Sequence, residues 1–293
     1  VSQAAMAVQS SAQMGPALGE PLSLRNFGRL AEFIHAYSGI KMPAGKHTML
    51  EGRLRRRMRA NGYSQVNDYC RFLFDEGGLE SESVHLIDAV TTNKTDFFRE
   101  PIHFDHLRNT VLPKLAASGR GRIKVWSAAC STGAEPYTLA MVMDEFCGQG
   151  RNLDYSILAT DICTEVLKQA VAGRFPEPMI EPISQERRRR YVLAARDPRA
   201  REVRIAPALR SKVSFARLNL MDATYPVDRD MDVVFCRNIL IYFDKPTQAK
   251  VLSSLCDHLR PGGFLFLGHS ESAAGVDLPV RQVANTVFQK VAV

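Results

Sequence analysis

The sequence predicts an α/β fold: a doubly wound parallel sheet, preceded by an all-helical domain and interrupted by a small β-subdomain. Three observations predict it. Apolar residues recur at spacings of three and four from Ser23 to about Val90, the signature of amphipathic helices. Beyond Arg122, short apolar strand candidates alternate with helical segments, which calls for a sheet covered on both faces. Between Phe175 and Lys212 a set of prolines and a short alternating stretch break that alternation.

Residues 1–22 are rich in Ala, Ser, Gln and Met and lack the basic start and apolar core of a secretory signal; a disordered leader is expected. A helical domain is expected over residues 23–90. Phe27, Leu30, Ala31, Ile34 and Tyr37 share one helix face, Gly39 ends that helix and Pro43 opens the next segment. From Met49 to Ala60, Leu50, Leu54 and Met58 fall on one face and the arginines mostly on the others, until Asn61-Gly62 stops the helix. Tyr69, Phe72 and Leu73, then Val84, Leu86 and Ile87, mark two shorter helices. Residues 91–105 read as a linker, and the sheet domain follows over residues 106–293.

Strands are expected at Ile123–Ala128, Tyr155–Asp161, Val213–Leu218, Met231–Cys236 and Phe264–Leu267, with two more near Val280–Val283 and Thr286–Val291. Helices are expected from Glu135, from near Thr164 and from Pro246 to Leu259. The insertion at about residues 175–212 carries a basic helix, Ser184 to Leu193, and a hairpin containing Glu202-Val203-Arg204-Ile205.

No run of ~18 apolar residues exists, so no membrane-spanning helix is expected. Cys70, Cys130, Cys147, Cys163, Cys236 and Cys256 are far apart, which suits reduced thiols rather than a zinc site or a disulfide scaffold, and no metal is expected. A net charge of +7, concentrated in the run Arg53 to Arg59 and in Arg187 to Arg190, points to an acidic partner. Taken alone, such a run is more often a solvated helix face than a binding site.

In an open α/β sheet, ligands bind beyond the carboxyl ends of the strands. Strand one delivers Cys130-Ser131-Thr132-Gly133-Ala134-Glu135 to that rim, strand two Asp161, strand three Asn219-Leu220 and strand four Cys236-Arg237-Asn238. Helix capping explains any one of these; it explains all four together poorly. An acidic residue at the end of strand two suits the ribose hydroxyls of an adenosine. A dinucleotide would also need two or three glycines near its pyrophosphate. Gly133 is the only glycine between Val125 and Phe146, and Glu135 would repel a phosphate but attract the ammonium of a methionine-type ligand. The rim therefore favours S-adenosylmethionine over a nicotinamide cofactor.

Five segments carry a family resemblance. They are Thr91-Thr92-Asn93-Lys94-Thr95-Asp96-Phe97-Phe98-Arg99-Glu100, Val125 to Tyr137, Ala159-Thr160-Asp161-Ile162, Phe235-Cys236-Arg237-Asn238 with Ile241-Tyr242-Phe243, and Gly268-His269-Ser270-Glu271. In this order and spacing they resemble the CheR family, the bacterial chemotaxis receptor methyltransferases, from about Leu24 to the C-terminus. The resemblance implies a class I S-adenosylmethionine-dependent methyltransferase domain behind a helical receptor-docking domain. It places cofactor contacts at Asn93, Thr95, Arg99, Glu135, Asp161, Asn219, Leu220, Arg237 and Asn238. It gives Arg99 and Tyr242 the catalytic roles, Arg99 orienting a carboxylate and Tyr242 contacting the reacting groups through its hydroxyl. The implied reaction methylates glutamates on the cytoplasmic helical bundle of chemoreceptors, leaving glutamyl methyl esters and S-adenosylhomocysteine.

That substrate gives the first arginine run a meaning. Arg53, Arg55, Arg56 and Arg59 are expected to dock on acidic receptor helices, although a rotation of ~100° per residue keeps them from all facing one partner. Some family members also bind a receptor C-terminal pentapeptide by strand addition. Glu202 to Ile205 offers an edge for that, but the preceding loop, Ala194 to Ala200, lacks the glycines of clear tether binders. The expectation is a monomeric cytoplasmic enzyme, recruited to receptor arrays without inserting into the membrane. A nucleic-acid acceptor is disfavoured, because no Asn/Asp-Pro-Pro-aromatic motif follows Cys236 and no nucleophilic cysteine follows a proline. A silent cofactor-binding regulator is the other rival, and Arg99 with Tyr242 argues against it.

Overall fold

In the computed structural model, residues 20–148, 150 and 152–291 are described. The leader expected over residues 1–22 lies outside the described residues except at its end. There Leu22 is buried and its N–H donates to Glu51 at 3.1 Å, so residues 20–22 pack on the helical domain.

Helices α1 (Leu24–Ser38), α2 (His47–Ala60), α3 (Val66–Asp75) and α4 (Leu79–Val90) form that domain. Ser23 caps α1, its hydroxyl accepting from Asn26 N at 3.2 Å. Gly39 ends the helix at φ 73°, and a Cβ there would lie 2.8 Å from Met221 Sδ and 3.1 Å from the Phe243 ring. Only glycine serves both the left-handed turn and the close approach to the sheet domain. On α2, Leu50, Leu54 and Met58 are buried as their spacing requires. Arg57 turns inward from the same arginine run: its Nε donates to Glu82 Oε2 of α4 at 2.9 Å, and Tyr69 Oη of α3 donates to that oxygen at 2.8 Å. Three helices are thus joined through one carboxylate that is 4% exposed.

The expected linker over residues 91–105 is shorter than its sequence suggests. Pro101, placed at the first helical position where its missing N–H costs nothing, starts α5 (Pro101–His106). A π-helical turn, Leu107–Val111, continues it into α6 (Leu112–Ala117). The turn ends two residues before Pro113, which cannot donate to an ordinary helical ladder. Phe104, Leu107, Val111, Leu112 and Leu115 bury this rod against the sheet.

The remaining elements are β1 (Arg122–Ala128), α7 (Ala134–Cys147), β2 (Asp154–Asp161), α8 (Thr164–Ala172), β3 (Arg174–Pro176), α9 (Gln185–Tyr191), β4 (Val192–Ala194), β5 (Glu202–Ile205), α10 (Pro207–Arg210), β6 (Val213–Arg217), β7 (Met231–Cys236), α11 (Lys245–His258), β8 (Leu259–Leu267), β9 (Val280–Ala284) and β10 (Val287–Lys290). The main sheet has seven strands in the order β6-β2-β1-β7-β8-β10-β9. The first five are parallel, while β10 runs antiparallel to both its neighbours. The order reverses between β1 and β7, which makes their carboxyl ends the switch point where ligands bind.

Period-two alternation divides the sheet between two cores. Trp126, Ala128, Val234 and Cys236 face a core that runs on without a break into the helical domain, through Leu30, Leu54 and Leu86. Val125, Val233 and Phe235 face the other side, against α5 to α7. Cys70, Cys130, Cys163, Cys236 and Cys256 are buried thiols.

The insertion holds more than the expected hairpin: β3, β5 and β4 form a three-stranded antiparallel sheet with β5 in the middle, so Glu202 to Ile205 is paired on both sides and is not the open edge its sequence suggests. Its basic helix ends at Tyr191 rather than Leu193, because Val192–Ala194 leave it to pair with β5. Phe175 anchors the subdomain edge-on against Phe97, with ring centroids 4.8 Å apart.

Candidate active site

The loop after β1 turns sharply enough to need left-handed residues at Ala129, Ser131 and Gly133. Gly133 sits at φ 93°, and a Cβ there would come within 2.9 Å of the Ala170 Cβ on α8. The tight turn starts α7 immediately and puts Glu135 in its first turn, beside the rim. Glu135 Oε1 accepts from Ser127 Oγ at 2.8 Å and Oε2 from Arg237 Nη1 at 3.2 Å. Burial pushes this carboxyl above its ordinary value, against the pull of Arg237 and the Ser127 hydroxyl.

At the end of β2, Asp161 is held by the backbone. Its Oδ2 accepts from Ser131 N at 2.8 Å and its Oδ1 from Cys163 N at 2.9 Å. Burial raises its pKa, with those amides opposing. Both carboxylates line one cavity, which encloses about 1120 Å³ of space including its open mouth. The apolar walls come from Phe104, Ile162, Leu218 and Leu220, and Ile40, Met42 and Met49 of the helical domain face them. The cavity therefore lies between the two domains, on the carboxyl side of the switch point.

The linker closes another side. Asn93, Thr95 and Arg99 all line the cavity. Asn93 O accepts from Ser131 Oγ at 2.8 Å, and Arg99 Nη1 donates to Lys94 O at 3.0 Å. Asn219 is also present, but its side chain is engaged in bracing: Nδ2 donates to Tyr37 O of α1 at 2.6 Å and Oδ1 accepts from Met221 N at 3.0 Å. Tyr242 sits in the short 3₁₀ turn Leu240–Tyr242, and its carbonyl accepts from Lys41 N at 3.0 Å. The helical domain is fixed to the sheet on the far side too, where Asp88 caps α8 through Thr164 N at 2.8 Å.

Arg237 and Asn238 converge on a residue not singled out from the sequence, Glu100. Arg237 Nη2 donates to Glu100 Oε2 at 2.9 Å and to Arg99 O, while Asn238 Nδ2 donates to Glu100 Oε1 at 3.0 Å. The Arg237 side chain is 1% exposed and lies over the Phe104 and Phe235 rings. It acts as a buried bridge between Glu100 and Glu135 more than as an open ligand contact. Burial would raise Glu100, but the bonds from Asn238 and Arg237 and the Arg237 charge outweigh it and hold the carboxyl down at about 2. Glu271, also buried, accepts from Gly268 N at 2.7 Å, Asn238 N at 2.9 Å and Leu240 N at 2.7 Å, shaping the loop that carries Tyr242. The sequence signals for both were their places inside the Phe97-Phe98-Arg99-Glu100 and Gly268-His269-Ser270-Glu271 segments.

The arginines of α2 part company. Arg53 donates to the carbonyls of Val90 and Thr91 and to Thr92 Oγ1, so it ties α2 to the linker rather than facing solvent. Arg55 pairs with Glu51 at 2.9 Å, and Arg56 and Arg59 are exposed. The four expected together as a docking face are therefore not equivalent.

The sheet order, the two rim carboxylates and the apolar walls of the cavity fit S-adenosylmethionine. Fold and site define a S-adenosylmethionine-dependent methyltransferase. Residues 93–288 match the family model described as CheR methyltransferase, SAM binding domain, and residues 25–91 match CheR methyltransferase, all-alpha domain. The chain belongs to the CheR methyltransferase family. It is 37% identical over 277 residues to a chemotaxis protein methyltransferase of Klebsiella aerogenes, covering 94% of this chain and 92% of that one. A chemotaxis protein methyltransferase of Borreliella burgdorferi is 36% identical over 252 residues, covering 84% and 88%. That of Escherichia coli is 35% identical over 270 residues, covering 91% of each. Among the described residues, no helix is long and apolar enough to cross a membrane.

Proposed function

We propose that this enzyme methylates the γ-carboxylate of glutamates on the cytoplasmic helical bundle of chemoreceptors, setting their adaptation state. The observation that carries the acceptor is the make-up of the cavity wall: beside Asp96, Glu135 and Asp161 it holds Lys46, Lys94, Arg99 and the Tyr242 ring, and among the described residues no histidine lines it. A carboxylate is already ionised at neutral pH and needs no general base. It needs a cationic, partly desolvated seat that aims it in line with the methyl group. S-adenosylmethionine supplies that methyl on a sulfonium, a leaving group ready for displacement.

In this reading Asp161 receives the ribose hydroxyls and Glu135 the ammonium of the cofactor, with Asn93, Thr95, Leu220 and Asn238 completing its walls. Arg237 keeps Glu135 in place and Asn219 keeps the helical domain at its distance. Arg99 orients the acceptor carboxylate by charge-assisted hydrogen bonds, and Tyr242 contacts it through the hydroxyl. Arg55, Arg56 and Arg59 steer the acidic receptor helices. The enzyme works as a cytoplasmic monomer, brought to receptor arrays by that contact.

The test is transfer of labelled methyl to a receptor cytoplasmic fragment, followed by mild base. Release of the label as methanol is expected. Base-stable label sinks the ester, and tight cofactor binding without transfer points to a silent regulator.

A further inference from the structure

Lys46 is the cation of the cavity wall that neither the sequence motifs nor the family's arginine run accounts for. It ends the short 3₁₀ turn Ala44–Lys46, where its own N–H donates to Pro43 O at 2.8 Å and fixes the backbone ahead of α2. From there the side chain reaches across the domain boundary. Its Nζ lies 5.7 Å from the centroid of the Tyr242 ring, within cation–π range. The hydrogen bond from Lys41 N to Tyr242 O, at 3.0 Å, ties the two segments together and keeps that approach.

Of the other cations that line the cavity, Lys94 is exposed and the two arginines are already engaged. Arg237 is closed between Glu100 and Glu135. Arg99 is tethered to Lys94 O, and its charge acts on Glu135. Among the described residues no ion pair joins Lys46 to a carboxylate, although the residue is partly buried and lines the cavity. The ammonium of this partly buried residue lies over an aromatic face with no carboxylate paired to it, which leaves it open to a counter-charge. An arriving carboxylate provides it.

We propose that Lys46 Nζ binds the acceptor carboxylate from the helical domain, complementing Arg99 from the linker, and holds it over Tyr242 for attack on the methyl group. This rests on the carboxylate-acceptor reading and makes the helical domain a direct contributor to the reacting site. The carboxylate oxygen forms the new C–O bond, the C–S bond of the sulfonium breaks, and no proton moves. Lys46 stays an ammonium throughout, neutralising the acceptor until it becomes a neutral ester, which then loses its hold and leaves.

The experiment compares wild type, Lys46→Met and Lys46→Arg with a receptor cytoplasmic fragment, reading base-labile methyl transfer at about 0.15 M and about 1 M salt, where screening lengths fall from ~8 Å to ~3 Å. Cofactor affinity is read separately by calorimetry. Lys46→Met is expected to lose about 10- to 100-fold in transfer at saturating receptor, as loss of a charge-assisted hydrogen bond does. The loss persists at high salt, Lys46→Arg recovers most of it, and S-adenosylmethionine binds all three proteins within about two-fold. Unchanged transfer in Lys46→Met overturns the inference. So does a loss that disappears at high salt, which marks a surface docking charge, or a parallel loss of cofactor affinity, which marks a wall residue. Wild type that yields no base-labile label removes the carboxylate reading itself, and the inference with it.

Discussion

Arg237 and Glu100 form a 2.9 Å ion pair inside the protein, and the same guanidinium reaches Glu135 at 3.2 Å. One buried cation thus joins the start of α5, the first turn of α7 and the end of β7. Removing it leaves two carboxylates facing each other out of water. Arg237→Met is expected to destabilise the fold by about 3–5 kcal/mol, the usual result of orphaning buried charge. Urea denaturation measures this; a loss below about 1 kcal/mol would mean the pair is incidental.

Asp161 has a different exposure to mutation, because backbone amides hold both its oxygens. In Asp161→Asn one of those amides, from Ser131 or Cys163, meets an NH₂ group instead of an acceptor. S-adenosylmethionine affinity should fall about 10- to 100-fold by calorimetry, as a buried, hydrogen-bonded carboxylate is lost. Affinity within two-fold of wild type would move the ribose contact elsewhere.

Neighbouring arginines on α2 should give opposite results. Arg57→Met breaks the buried bond to Glu82 and is expected to cost about 3–5 kcal/mol of stability. Arg56→Glu and Arg59→Glu lie on the exposed face and should change stability by no more than about 0.5 kcal/mol. They should instead slow receptor methylation, with a deficit that shrinks as salt screens it. Chemical denaturation and a salt series separate the two kinds of residue.

Acid sensitivity should begin early. Burial, then the charge of Arg237, holds His103 down at about 4 from its ordinary 6.5. The unfolded chain therefore takes up a proton near pH 6.5 that the folded chain refuses until about pH 4, so stability falls as pH drops across that window. The slope is at most about 1.4 kcal/mol per pH unit for this one group. Glu100, held at about 2 from 4.5, adds a further loss below pH 4.5. Denaturation midpoints measured against pH should flatten between pH 6.5 and 4 in His103→Gln, and keep their fall at lower pH.

Much of this was legible in the sequence. The strand expected at Met231–Cys236 is β7 residue for residue, because every position is buried and the apolar run has abrupt polar ends. The rim residues were legible because strand ends and helix starts leave their marks locally. The α5–α6 rod was not, since His103, Asp105, His106, Arg108 and Asn109 interrupt its apolar spacing and a π turn shifts its phase. Glu100 escaped for another reason: its meaning depends on Arg237 and Asn238, which only the folded sheet brings near. The arginine run shows the same limit. Arg53, Arg57 and Arg59 look alike in sequence, yet one ties down the linker, one is buried against Glu82 and one faces water.

The core that runs from Trp126 and Val234 into Leu30, Leu54 and Leu86 leaves the two domains without an independent existence. Cutting the chain at Asn93 would strip one face of the sheet, and both fragments would present greasy surfaces to solvent. The helical domain and the wall that shapes the reacting cavity are then parts of one cooperative unit. A change in the packing of α2 would therefore be felt at Ile40 and Met42, which belong to that same core. The shape of the cavity and the integrity of the helical domain are thereby a single thermodynamic variable.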